Sequence, residues 1–123
     1  MSDDVKVFIE TPTGTIDASK TTLPESGRKF RDAWRLEGQV IAVDMDKARE
    51  IAREQIRRER EPIFHSLDVQ YQRTTETRGD ESGIIAKKQA LRDATADPAI
   101  DEAEDDVALA ETVDDIVAWM KTL

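Results

Sequence analysis

The arginines of one helical stretch are the side chains whose type and spacing could do chemistry. Neighbours among them stand three or four residues apart, which places them on one side of a helix. They are Arg49, Arg53, Arg57 and Arg60. Such a face can bind nucleic-acid phosphates, but acidic residues are interleaved with it and no aromatic residue stands there for base stacking. The pattern favours a salt-bridged face exposed to solvent and leaves a nucleic-acid surface as the alternative.

The opposite charge is concentrated near the C-terminus. From Asp97 to Asp115 the chain has nine acidic residues and no Lys or Arg, which equals the whole net charge of −9. The run 101–106 lacks the alternating ligands and central Gly of an EF-hand loop, so it is interpreted as the solvated start of a helix. Opposite charge also suggests that the segment 101–115 contacts the arginine face, within the chain or from a neighbouring copy.

Other kinds of site lack the residues that they need. His65 is the only histidine and there is no Cys, so neither a transition-metal site nor a disulfide can be assembled. The GxGxxG, GxxxxGK[ST] and GxSxG patterns do not occur, and no pair of carboxylates stands out as an acid–base pair. We predict no catalytic residue, no metal ligand and no cofactor, and a protein that is not an enzyme.

The composition predicts a small core. Of 123 residues, 37% are charged, 38% are hydrophobic and 5% are aromatic, so some apolar surface is expected to remain for a partner. No apolar run approaches the roughly 18 residues of a membrane span, and the basic start of a signal peptide is missing. We therefore expect a cytoplasmic protein without a membrane partner.

The first elements are predicted to be short β structure. Residues 5–16 favour one strand that ends at a Thr-Pro-Thr-Gly turn, with Val5, Val7 and Ile9 on its apolar face. The polar stretch 17–29 predicts a loop.

A β-hairpin is predicted over residues 30–44, with its turn at Glu37-Gly38. Two strands alone are marginally stable. Trp34 and Ile41 are therefore expected to pack on the helices, unless the hairpin adds to the sheet edge of a partner.

A long charged helix is predicted to begin at Asp44, whose side chain can cap it. Pro62 should kink this helix or start a second one at Glu61, and Gly79 should end it in the left-handed conformation. Its apolar stripe is narrow. The stripe consists of Met45, Ala48, Ile51, Ala52, Ile56 and Ile63.

Two further helical segments follow. The stretch 84–94 predicts a helix antiparallel to the first, because the connection is short. The stretch 100–123 predicts a partly helical segment that docks loosely or frays. The apolar face of the latter consists of Val107, Ala110, Val113, Val117 and Met120.

The predicted fold class is mainly α (α+β). A short N-terminal strand and a β-hairpin precede an antiparallel helical hairpin and a C-terminal amphipathic helix. We divide the chain into a strand and polar loop (1–29), a core of hairpin plus helical hairpin (30–96), and an acidic amphipathic segment (97–123).

One combination of motifs covers most of the central region. It consists of F-R-x-A-W, a short strand that ends V-D-M-x-x-A, a helix, and a second helix with K-Q-x-L-R-D. The matching residues are Phe30, Arg31, Ala33, Trp34, Val43, Asp44, Met45, Ala48, Lys88, Gln89, Leu91, Arg92 and Asp93. Over residues 28–101 the chain resembles small proteins encoded among the tail and tail-fibre genes of bacteriophages and prophages. Many of those are labelled tail proteins or tail-fibre assembly chaperones.

The resemblance implies a non-enzymatic protein of tail assembly, structural or chaperone-like, in the bacterial cytoplasm or on the virion. Its partner would be a tail or tail-fibre protein, contacted through apolar side chains. The candidates are Trp34, Ile41, Phe64 and Trp119. A homo-oligomer is also open, because a second copy can complete a narrow apolar stripe. The alternative function is a nucleic-acid-linked regulator that uses the face from Arg49 to Arg60.

Overall fold

Residues 7–123 fold into two β-hairpins followed by four α-helices. The structure is a computed structural model that describes residues 7–123, so Val5 of the predicted first strand lies outside the described residues. The elements are β1 (Phe8–Thr11), β2 (Gly14–Asp17), β3 (Trp34–Glu37), β4 (Val40–Val43), α1 (Met45–Glu76), α2 (Ser82–Asp93), α3 (Pro98–Glu102) and α4 (Asp106–Met120). The predicted class, mainly α with short β elements before the helices, is confirmed.

The first β element is a hairpin and not a single strand. β1 and β2 pair antiparallel with Ile9 opposite Ile16, because β-branched residues continue after the turn and give the chain a second strand. The Thr11 hydroxyl donates to the Gly14 carbonyl at 2.7 Å, which closes the turn. Ile9 is buried, whereas Val7 is 60% exposed, so Val7 does not belong to the apolar face that was predicted for it.

The second hairpin forms where it was predicted. β3 and β4 pair antiparallel with Leu36 opposite Ile41, and Gly38 takes a φ of 63° in the turn. Its apolar face does not pack mainly on the helices. Trp34 and Ile41 instead form a small cluster with Ile9 and Ile16 of the first hairpin. Each hairpin alone would be marginally stable. Packing the two apolar faces against each other removes these faces from water.

Helix α1 runs without interruption for 32 residues. Asp44 caps it as predicted, because its side chain accepts from the Lys47 N–H at 3.3 Å. Of the two alternatives predicted at Pro62, a kink or a new helix at Glu61, the new helix does not occur, since Pro62 lies inside α1. Pro62 is exposed, while Ile56 and Leu67 on either side of it are buried. Packing on both sides maintains the helix across the hydrogen bond that proline cannot make.

The C-terminus of α1 ends in a Schellman motif, one residue away from the prediction. Arg78, not Gly79, has the left-handed φ of 57°. The Gly79 N–H donates to the Thr74 carbonyl at 2.8 Å and the Arg78 N–H to Thr75 at 3.1 Å. A Cβ on residue 79 would lie 3.0 Å from the Thr74 methyl carbon. Glycine is therefore used here for close approach and not for its φ.

Helices α1 and α2 form the predicted antiparallel hairpin. Lys88 pairs with Asp68 at 2.6 Å, and its ammonium lies 5.4 Å from the Tyr71 ring centroid. Further along, the Arg92 guanidinium lies 5.9 Å from the Phe64 ring centroid. The later residue of α2 thus contacts the earlier residue of α1, which is the order of contacts in an antiparallel helix pair.

The acidic segment is packed into the main core. Asp97 caps α3 through the Ala99 N–H at 2.9 Å, and Asp105 caps α4 through the Ala108 N–H at 2.7 Å. Helix α4 packs on α1. The buried residues of α4 are Leu109, Val113, Ile116 and Met120. They overlap the predicted face only in part, and their burial replaces the predicted loose docking with a continuous core that runs from Phe30 to Met120.

Candidate functional site

Two of the four residues predicted to contact a partner are structural. Trp34 is 1% exposed and Ile41 is 7% exposed. Both belong to the cluster that holds the two hairpins together, so neither can present an apolar surface to another protein. The prediction is corrected for these two residues. The alternation along β3 and β4 assigns them to one side of the sheet, but the alternation cannot say whether that side is covered.

Phe64 lies half-buried in the seam between α1 and α2. The guanidinium carbons of Arg60 and Arg92 lie 5.6 Å and 5.9 Å from its ring centroid, within the range of a cation–π contact. The ring also packs against the main core. Phe64 therefore contributes mainly to the helical hairpin and offers only part of its ring to a partner.

Trp119 is the one predicted contact that lies on the surface. Its side chain is 45% exposed and forms a wall of a shallow cleft of about 230 Å³ between α4 and the start of α3. Ile116, 6% exposed, lies beside it as part of the apolar lining. The cleft residues are Asp97, Ala99, Thr112, Asp115, Ile116 and Trp119, and we call this surface the Trp119 cleft.

Further apolar side chains lie exposed on the hairpin end of the chain. Val7, Phe8 and Val40 are each more than half exposed, and Leu23 is 41% exposed. Leu23 and Val40 both line a shallow groove of about 550 Å³. Sequence reasoning did not select these residues, although the strand alternation places Phe8 on the opposite side from Ile9 and so carried the signal.

The predicted arginine face is largely occupied within the chain. Arg49 donates to the Ala103 carbonyl at 3.0 Å. Arg60 donates to the carbonyl oxygens of Leu91 and Arg92 at 3.1 Å and 3.4 Å. These acceptors lie at the C-terminal ends of α3 and α2, where helix carbonyls lack intrahelical donors.

Arg53 joins two parts of the chain that follow α2. Its Nε donates to the Thr95 carbonyl at 3.1 Å, and its terminal nitrogen pairs with Asp101 at 2.6 Å. Within the described part of the chain, Arg57 is the one of the four arginines that pairs only with a neighbour on its own helix, Glu54 at 3.3 Å. Three of the four guanidinium groups of the predicted face therefore already bind acceptors within the chain.

Part of the acidic segment contacts basic and backbone groups of the same chain. Asp101 binds Arg53 as described, and Asp114 pairs with Lys29 at 2.7 Å. Asp106 accepts from the Ser26 N–H at 3.1 Å. The suggested contact between arginine face and acidic segment therefore exists inside the chain, through Arg53.

Neither a cluster of metal-ligating side chains nor a membrane-spanning helix is found among residues 7–123. Among them, no three His, Asp or Glu side chains lie close enough together to hold a metal ion. His65 is exposed on α1. Within the same residues, no helix is both long and apolar enough to cross a membrane.

Comparison of the chain with protein-family models, with curated proteins and with solved structures finds no match.

Proposed function

We propose that the chain is a non-enzymatic protein of phage or prophage tail assembly that binds a tail or tail-fibre protein. The motif resemblance over residues 28–101 supports the class. The exposure of Trp119 supports binding through protein–protein contacts. Indole rings are enriched at protein interfaces, where they contribute much of the binding energy, and this one is 45% exposed on a surface rich in charge.

The apolar residues available to a partner differ from those first selected. Trp119 heads the set, and Phe8 and Val40 of the hairpins join it because each is more than half exposed. Trp34 and Ile41 act indirectly, by holding the two hairpins in place. Phe64 contributes the part of its ring that the two arginines leave accessible.

Co-expression with the tail and tail-fibre proteins of the same phage or prophage tests the proposal. The tagged chain should co-purify with one of them, and Trp119→Ala should reduce the captured amount at least severalfold. Ile85→Ala is the matched control, because Ile85 is similarly exposed at 51% but lies on α2, outside the Trp119 cleft. Failure of the unaltered chain to capture any of these proteins would contradict the proposal.

A further inference from the structure

The Trp119 cleft combines an apolar wall with acidic rims. Thr112, Asp115, Ile116 and Trp119 follow one side of α4, and Asp97 lies opposite at the start of α3. The exposed indole and the Ile116 side chain supply the apolar part. Among residues 7–123, no lysine or arginine lines the cleft.

The two carboxylates of the cleft differ in what they already bind. Asp97 is engaged as the cap of α3, through the Ala99 N–H at 2.9 Å. Among residues 7–123, the Asp115 side chain has neither an ion pair nor a hydrogen bond. Its neighbour Asp114 is paired with Lys29. Asp115 therefore stands unpaired and exposed, four residues before the exposed tryptophan.

We propose that the Trp119 cleft binds an arginine side chain of the partner protein, flanked there by apolar residues. This inference rests on the proposed function and names the chemistry of the partner. The guanidinium plane would stack on the indole and donate to the Asp115 carboxylate. The methylene stem would lie against Ile116.

Charge complementarity selects this occupant over others. The segment 97–115 has nine acidic residues and no basic one, so an acidic segment would be repelled. A wholly apolar segment would cover the Asp115 carboxylate without pairing it, which disfavours binding. Lysine can satisfy the charge but does not stack as a plane, so arginine fits both parts of the cleft.

A blocked peptide, acetyl-Leu-Arg-Leu-amide, is the probe, and the same peptide with neutral citrulline in place of arginine is its control. The indole N–H signals are followed by two-dimensional NMR at low salt. The Trp119 signal should shift and approach saturation with the arginine peptide, and its affinity should be at least about threefold higher than that of the citrulline peptide. The Trp34 signal, from the buried cluster, should stay in place. Added salt should weaken the binding.

Two isosteric variants separate the cleft from the general acidity of the segment. Asp115→Asn should weaken the arginine peptide by about fivefold. Glu111→Gln, which removes one charge from an exposed residue of the same helix outside the cleft, should change the affinity by less than about twofold. Both positions are exposed, so both variants should keep the fold, as circular dichroism would verify.

Three results of the peptide titrations would overturn the inference. One is a Trp119 signal that does not shift at millimolar peptide, and another is an equal response to the citrulline peptide. The third is equal weakening by Asp115→Asn and Glu111→Gln, which would show only a general attraction to the acidic segment. Capture of a tail protein by the unaltered chain and by Asp115→Asn alike would also overturn it, while leaving the tail-assembly proposal intact.

Discussion

The Arg53 side chain connects three parts of the chain through its guanidinium group. Its guanidinium reaches from α1 to the Thr95 carbonyl and to Asp101 of α3, and only 26% of the side chain is exposed. Charge-assisted bonds from a partly buried group contribute more than surface pairs do. A lysine at this position has one nitrogen and cannot serve both acceptors with the same geometry.

We therefore expect Arg53→Lys to lower the free energy of unfolding by about 1–2 kcal/mol. Arg57→Lys is the matched control, because Arg57 is 48% exposed and pairs only with Glu54; its effect should stay below about 0.5 kcal/mol. Urea unfolding of the two variants measures the difference. Equal effects would mean that the contacts of Arg53 do not contribute to stability.

Asp80 is a residue whose titration should depend on the fold. Its pKa lies below the ordinary 3.8, because the Ser82 backbone N–H and then the Ser82 hydroxyl hydrogen-bond to the carboxylate. The N–H contact measures 2.9 Å. A depressed pKa means that the folded chain favours the ionised form. The stabilisation is present above the unfolded pKa and is lost as the pH falls through the folded pKa.

An NMR titration of the Asp80 carboxyl should give a midpoint below 3.8 in the folded chain. The amide of Ser82 should shift with the same midpoint, because its hydrogen bond is lost on protonation. In Asp80→Asn that pH-dependent shift should disappear. A midpoint at or above the ordinary value would contradict the hydrogen bond at this helix start.

At the scale of secondary-structure elements, Pro62 is the residue least suited to its position in a helix. It lies inside α1 with its ring exposed, so the helix lacks the hydrogen bond that residue 62 would donate to Arg58. We expect Pro62→Ala to raise the free energy of unfolding by about 1–3 kcal/mol, since proline is the least favourable residue within a helix. Glu61→Ala, a neighbouring exposed position, should change it by less than about 0.5 kcal/mol.

Urea unfolding with the same probe compares these two variants. A loss of stability in Pro62→Ala would show that the packing on either side of residue 62 requires the local geometry that proline imposes.

The elements that local signals specify were predicted well. Asp44 and the apolar spacing after it located the start of α1, and Glu37-Gly38 located the turn of the second hairpin. Both signals depend on residues close together in the chain. The contacts between elements could not be read in the same way. Arg53 and Asp101 are 48 residues apart, and nothing local states that they meet.

The same limit explains the errors at the candidate site. Trp34 and Ile41 are side chains of the kind that protein interfaces use. They are buried because the first hairpin packs against them. Trp119 is a side chain of the same kind but remains exposed, because Leu109, Val113 and Met120 occupy the buried face of α4. Whether a side chain is buried depends on which neighbouring element packs against it, and that is a property of the tertiary fold.

At the scale of the whole molecule, the apolar stripe of α1 is completed by the chain itself. Ala48, Ala52 and Ile56 are fully buried, and α4 packs along α1. The reason for expecting a second copy is therefore weakened. Light scattering should give the mass of one chain at both low and high salt. A stable dimer at both would contradict this expectation and indicate a further apolar contact between copies.

Net charge bears on the nucleic-acid alternative at this scale. The chain has a net charge of −9, and three arginines of the predicted face already bind acceptors within it. We expect no binding of a DNA duplex even at low salt, where phosphate contacts are strongest. Gel-shift or anisotropy titrations would show this. Tight binding at low salt that falls steeply with added salt would restore the alternative.

The tip of the helical hairpin, where α1 ends and α2 begins, can vary in length. Helix α1 has 32 residues and α4 has 15, so at about 1.5 Å per residue α1 is about 25 Å longer. Between Leu67 and Leu91 no residue is fully buried. Seven residues added to each helix near the tip would lengthen it by about 10 Å without altering a core contact. Insertions or deletions at this tip would therefore change the length of the helical hairpin while the rest of the fold stays the same.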